Sequence, residues 1–158
     1  MTHDPLAMAI NIASRAHAGQ VDKCGHPYIL HPIAVMGKMD TDELRIIAVL
    51  HDVIEDTDVT LVDLARDNIP QRALNAICAL TRLPGQTWNE YLDQVETNID
   101  AIKVKIADLQ HNSDVSRDYG DGFSEMVATR YIPAITRLKI AYLLRKAEGG
   151  FVVASAAP

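Results

Sequence analysis

Ile46-Ile47-Ala48-Val49-Leu50-His51-Asp52-Val53-Ile54-Glu55-Asp56-Thr57 joins an unbroken apolar run to a knot of ionisable side chains. The run reads as the body of a helix. Asp40 is placed to cap it, with Glu43 three residues on in capping-box position. Leu44, Ile47, Leu50 and Ile54 recur at helical spacing, and Ile46 and Val49 widen the buried face. On such a helix His51 and Glu55 stand at i and i+4. Asp52 lies i−3 from Glu55 and i−4 from Asp56, so the groups share a face. Carboxylates crowded in this way repel one another, and a cation or a shared proton relieves the cost. A metal ion is one candidate, because imidazole and carboxylate both ligate metals while spare carboxylates orient a water. A solvated acidic helix end is the competing reading.

Outward from this stretch the periodicity stays helical. Leu6 to Ala18 carries an apolar stripe that Gly19 ends. Gly25, Pro27 and Pro32 make residues 20–30 a loop, and a short helix is expected over 32–38. Asp58 or Thr60 opens a helix through Arg66, and Pro70 opens another that holds Ala73, Leu74, Ile77, Cys78 and Leu80 in the core. Trp88, Tyr91, Leu92 and Val95 form one stripe, and 102–109 is a further apolar helix. Asp118-Tyr119-Gly120-Asp121-Gly122 reads as a flexible connection. A last helix is expected over about 124–147, with Ile132, Ile135, Leu138, Tyr142 and Leu143 on its stripe and a kink at Pro133. No alternating strand pattern of useful length and no internal repeat is present. The expected class is all-α: one helical domain over 1–148 and a short tail, poorly ordered, over 149–158.

The composition fits. A chain of 158 residues makes one domain and buries enough surface to fold without disulfide or metal staples. Fifteen Lys and Arg against 21 Asp and Glu give a formal charge of −6, which argues against a nucleic-acid partner. Cys24 and Cys78 are far apart and form no CxxC, so nothing points to an oxidising compartment. No basic leader and no apolar run of membrane-spanning length is seen, and the expectation is a cytoplasmic protein.

Two more stretches bear on the chemistry. Pro27-Tyr28-Ile29-Leu30-His31-Pro32 holds a histidine between prolines in a stretch read as a loop. In Lys103-Val104-Lys105-Ile106-Ala107-Asp108-Leu109-Gln110-His111-Asn112, Asp108 sits among apolar residues, where a lone carboxylate is costly unless paired, and Asn112 lies on its face. Together with His17-Ala18-Gly19-Gln20, Lys23-Cys24-Gly25-His26-Pro27-Tyr28 and His51 to Thr57, these motifs stand in the order found in HD-type metal phosphohydrolases. More narrowly, residues 6–117 resemble the hydrolase domain of RelA/SpoT homologues and the small alarmone hydrolases.

The resemblance implies a compact helical HD domain holding one divalent ion, Mn²⁺ in the family, through His31, His51, Asp52 and Asp108. It implies that Glu55 and Asp56 position and activate the attacking water. It also implies that Lys23, Asn112 and either Thr81 or Arg82 contact the nucleotide substrate. The family reaction removes the 3′-pyrophosphate of (p)ppGpp; some members take the 2′-phosphate of NADPH. No synthetase domain is present in these residues. Two His and two Asp form a mixed N/O set suited to Mn²⁺ or Fe²⁺. Lys23, Arg82, Lys103, Lys105 and Arg117 are the nearby cations for a leaving pyrophosphate. A non-catalytic nucleotide-binding or antitoxin-like module is the reading from another class, and the intact His/Asp/Glu set argues against it. One departure stands out: alarmone hydrolases carry Arg-Lys where this chain has Asp22-Lys23, and that arginine packs on the guanine. Asp22 cannot make the contact; it is expected either to accept from a guanine N–H edge or to mark a different base.

The remaining polar residues read as structural. His17 is expected to have a structural, hydrogen-bonded role, His3 and His26 to lie on the surface, and His111 either to stand behind the ligands or to be exposed. Trp88 and Tyr91 read as core or pocket wall. Arg130, Arg137, Lys139, Arg145 and Lys146 read as a solvated stripe, unless an arginine and Tyr131 close over substrate phosphates. The sequence leaves the oligomeric state open.

Overall fold

The structure, a computed structural model, describes residues 4–114, 120 and 122–154, with side chains to 148. His3, Arg117, Asp118, Tyr119, Asp121 and residues 155–158 of the expected tail lie outside the described residues. The chain is all-α, and among the described residues the single β feature is an isolated bridge between Val21 and Pro27.

Helix α1 spans Pro5–Ala16, α2 Leu30–Met36 and α3 Asp42–Leu50. A one-turn α4, Val53–Asp56, follows, then α5 Leu61–Arg66, α6 Gln71–Leu80, α7 Trp88–Val95 and α8 Ile99–Asn112. The chain closes with α9 Phe123–Met126, a π turn Val127–Tyr131 and α10 Ile132–Ala154. The apolar run of α3 is central: α1, α2, α6 and α8 all pack on it, and Ile46 through Leu50 are buried. A helix surrounded on every side must be apolar on every side, which explains the unbroken run. Ile47 is fully buried. Ile47→Ala is expected to destabilise the fold by about 2–5 kcal/mol, read as a lower urea midpoint at unchanged m-value.

Several local expectations are corrected. The cap of α3 is Thr41, whose Oγ1 accepts from the Leu44 N–H at 3.3 Å, while Asp40 pairs with Lys103 at 3.3 Å. With Thr41 as the cap, Glu43 is one position short of the capping box. The helix also stops at Leu50 and restarts at Val53. The His51 ring bonds the Ala48 carbonyl at 2.7 Å, an acceptor that a continuing helix would give to the Asp52 N–H. Thr60 caps α5 with a full capping box to Asp63. Cys78 is exposed, because Arg72, Asn75 and Cys78 share the outer face of α6.

The break at Pro133 falls just before it. Proline has no N–H to offer the Thr129 carbonyl, and the preceding turn widens so that the Ile132 N–H reaches Val127 O. Helix α10 then runs through Gly149-Gly150 to Ala154, past the helix end expected at about 147. Leu138 is its core anchor, whereas Ile132 and Leu143 face solvent. No helix of the described residues is long and apolar enough to cross a membrane.

Candidate active site

The break after α3 turns His51 and Asp52 toward α2 and α8. His31, in the first turn of α2 rather than in the expected loop because the helix starts at Leu30, and Asp108, on α8, meet them there. His51 Nε2 lies 3.1 Å from Asp52 Oδ2 and 3.7 Å from Asp108 Oδ1. His31 Nε2 lies 3.1 Å from Asp108 Oδ1 and 3.5 Å from Asp52 Oδ2. Both imidazoles and Asp108 are buried.

The backbone fixes the His51 tautomer. Its Nδ1 faces a carbonyl, which only accepts, so Nδ1 carries the proton in the neutral ring. That leaves Nε2 as a lone pair, buried, with no hydrogen-bond partner and two carboxylates in front of it. A lone pair facing carboxylate oxygens is repulsive unless a proton or a metal cation stands between them. His31 is held from behind by another imidazole, its Nδ1 at 2.8 Å from His111 Nδ1, with one ring donating and the other accepting. Of the two expectations for His111, the structure has it behind a candidate ligand. With protons alone to bridge the cluster, burial opposes charging the rings, yet the carboxylates prevail: His51 is pushed up to about 10 and His31 is raised. Burial likewise opposes ionising Asp52 and Asp108. His51 outweighs it at Asp52 and Lys105 outweighs it at Asp108, so both sit far below the usual carboxylate range.

The cluster floors a cleft of about 360 Å³. Glu55, Asp56, Lys23 and Asn112 line it, as do Asp22 and Tyr131. Arg82 does not. Its guanidinium bonds the Gln86 carbonyl at 2.5 Å within the 82–86 loop, and only its backbone N–H approaches the site, donating to Glu55 Oε2 at 3.1 Å. Burial raises the Glu55 carboxyl, and burial with the charge of Asp52 raises Asp56. Asn112 Nδ2 donates to Asp108 Oδ1 at 2.7 Å.

Asp22 Oδ1 accepts from the Cys24 and His26 N–H groups at 2.9 and 3.0 Å, so this carboxylate shapes its own loop. Lys103 pairs with Asp40, away from the cleft. Arg137 binds Glu96 and Asp93, each at 2.5 Å, and Arg130 stacks on Trp88 at 4.2 Å. Both arginines are thus engaged with α7.

Three roles were not read from sequence, among them that of Lys105, which was expected only as a cation for the leaving pyrophosphate. The Tyr28 hydroxyl lies 2.6 Å from Asp52 Oδ2 and 3.0 Å from Asp56 Oδ2, joining the two carboxylates. Lys105, one turn before Asp108, donates to Asp108 Oδ2 at 2.7 Å and lies over the Tyr91 ring. His17-Ala18-Gly19-Gln20 forms a clasp: His17 Nδ1 donates to Gln20 Oε1 at 2.8 Å, and Gln20 Nε2 donates to the Asp56 carbonyl at 3.0 Å. The signal for the first two was their place three residues before His31 and Asp108. The clasp spans 36 residues of sequence, and nothing local announces it.

No family model matches the chain. Known proteins do. A guanosine-3′,5′-bis(diphosphate) 3′-pyrophosphohydrolase of Borreliella burgdorferi is 29% identical over 154 residues, covering 85% of this chain and 23% of that protein. The bifunctional (p)ppGpp synthase/hydrolase SpoT of Escherichia coli is 31% identical over 121 residues, covering 68% and 17%. The chain thus spans about a fifth of the length of these curated relatives. A solved structure of a metazoan ortholog of SpoT that hydrolyses ppGpp superposes with a TM-score of 0.63 at 18% identity, covering 92% of this chain and 97% of that one. The fold is the all-α HD fold of that neighbour. The chain is an HD-domain protein similar to the hydrolase region of RelA/SpoT homologues.

Proposed function

We propose that this chain is a metal-dependent phosphohydrolase that removes the 3′-pyrophosphate of (p)ppGpp. The observation that carries the reading is the convergence of two imidazole Nε2 atoms and two carboxylates beneath a cleft lined by Glu55 and Asp56. The relatives named as ppGpp hydrolases supply the substrate.

The donor set fits a divalent cation: the bare, buried His51 Nε2 is the orphan a metal would satisfy. His31, His51, Asp52 and Asp108 are its ligands in this reading. A mixed N/O set without thiolate suits Mn²⁺. The chemistry such an ion supplies is acidification of a water and polarisation of a phosphoryl oxygen. Glu55, with its raised pKa, takes the proton of the attacking water. The water oxygen bonds to the phosphorus attached to the 3′-oxygen, that P–O bond breaks, and the 3′-oxygen takes up a proton, giving GDP (or GTP) and pyrophosphate. Asp56, held through its carbonyl by Gln20 and through its carboxylate by Tyr28, orients the water. Lys23 and Asn112 face the phosphates, and Lys105 holds the negative charge of Asp108 in place.

The test is reconstitution. Protein stripped with a chelator is expected to lose ppGpp turnover and to regain it with Mn²⁺; full turnover without any divalent ion would refute the reading. Metal and proton also compete for the same Nε2 atoms. In the metal-free protein, imidazolium–carboxylate pairing stabilises the fold fully below the ordinary imidazole pKa of about 6.5. That contribution is lost as pH rises toward the raised value of about 10. Mn²⁺ binding is therefore expected to release protons and to tighten from pH 7 to pH 9. Calorimetry in buffers of different ionisation enthalpy checks this.

Asp22 favours a second substrate for the same chemistry. Without the guanine-packing arginine, the cleft is open to NADPH or another phosphorylated nucleotide.

A further inference from the structure

The loop that departs from the family at Asp22 departs from it in a chemically coherent way. Asp22, Cys24 and His26 alternate along five residues, and the loop folds back so that all three converge. The Asp22 N–H donates to the His26 carbonyl at 2.8 Å, the Gly25 N–H donates to the Asp22 carbonyl at 2.9 Å, and Val21 bridges to Pro27. Gly25 turns the corner at a φ of +83°, a left-handed conformation that favours glycine. One carboxylate oxygen, the Cys24 thiol and one His26 ring nitrogen then lie within 4.8 Å of one another.

From this convergence we propose that Asp22, Cys24 and His26 form a zinc site on the rim of the cleft. Bonds of 2.0–2.3 Å in a tetrahedral site set ligand atoms ~3.5 Å apart. Cys24 is exposed and the His26 side chain is 69% exposed, so both swing inward by rotation about their own side-chain bonds. The Asp22 side chain is 9% exposed and anchored by two backbone N–H groups. A carboxylate has about four lone-pair positions and can accept those bonds while ligating an ion. One thiolate, one imidazole and one carboxylate leave a fourth position for water. The thiolate selects a borderline-soft ion such as Zn²⁺ or Co²⁺ over Mn²⁺. The inner cluster has no sulfur, so the two sites differ in preference. Asp22 and Lys23 both line the cleft, and an ion here fixes the loop that carries Lys23. The inference does not depend on the hydrolase reading.

Cobalt titration of the full chain tests it, because sulfur-to-cobalt charge transfer absorbs in the near ultraviolet and reports thiolate ligation alone. One equivalent of Co²⁺ per chain is expected to develop this band, and Zn²⁺ to displace it. Cys24→Ser is expected to abolish it, His26→Ala to weaken cobalt binding at least tenfold, and Cys78→Ser to leave it unchanged. Cys24 and His26 are exposed, so the variants fold. The proposal is overturned if no band develops, if the band survives Cys24→Ser, or if one cobalt binds per two chains.

Discussion

Asp52→Ala is expected to abolish turnover while the fold survives, lowering kcat by at least about a thousandfold. Asp52 Oδ2 is the carboxylate oxygen nearest His51 Nε2 and also takes the Tyr28 hydroxyl bond, so one carboxylate joins the His/Asp cluster to the Asp56 side of the cleft. It stands at the break between α3 and α4, where its side chain caps no helix and fills no core position. The secondary structure therefore does not need it. Metal binding does. A ligand that binds only the folded state stabilises it by about 2.7 kcal/mol at a hundred times its Kd. Wild-type protein is expected to show a rise in Tm with Mn²⁺, and Asp52→Ala to lose both that rise and the activity. A variant that keeps full turnover would remove Asp52 from the metal assignment.

Glu55→Gln is expected to lower kcat by about 10²–10⁴ with little change in KM. The substitution is informative because glutamine keeps an acceptor for the Arg82 N–H, so the loop after α6 stays attached and only the basic charge is lost. Glu55→Ala would confound the two roles. Burial raises the Glu55 carboxyl, so the protonated, inactive form persists above the ordinary carboxylate range. The acid limb of kcat against pH is therefore expected to lie above the ordinary glutamate pKa of about 4.3 and to disappear in Glu55→Gln. An unchanged profile would assign the base elsewhere.

The all-α class and the identity of the central helix were legible because Ile46 to Leu50 is apolar on every side, and only full enclosure makes that stable. The candidate ligands were legible for a different reason: each sits in a short motif with a recognisable neighbour. The helix end was not legible. Continuing apolar spacing through Ile54 hid a stop that depends on the His51 ring taking a backbone carbonyl. Arg82 shows another limit. Its charge and its place suggested phosphate contact, but the Gln86 carbonyl claims the guanidinium, and that competition is settled by loop geometry. The bonds of Tyr28 to Asp52 and Asp56 and of Lys105 to Asp108 were not legible, although both residues stand in the motifs, because the contacts of Tyr28 exist only once the chain has folded and a lysine's charge does not say which partner it takes.

The most direct measurement is product analysis after incubation of purified protein with Mn²⁺ and ppGpp, with NADPH as a parallel substrate and Asp52→Ala as control. GDP and pyrophosphate in equal amounts from ppGpp, absent in Asp52→Ala, is the predicted result. Intact ppGpp alongside phosphate release from NADPH would contradict the alarmone assignment and direct attention to Asp22.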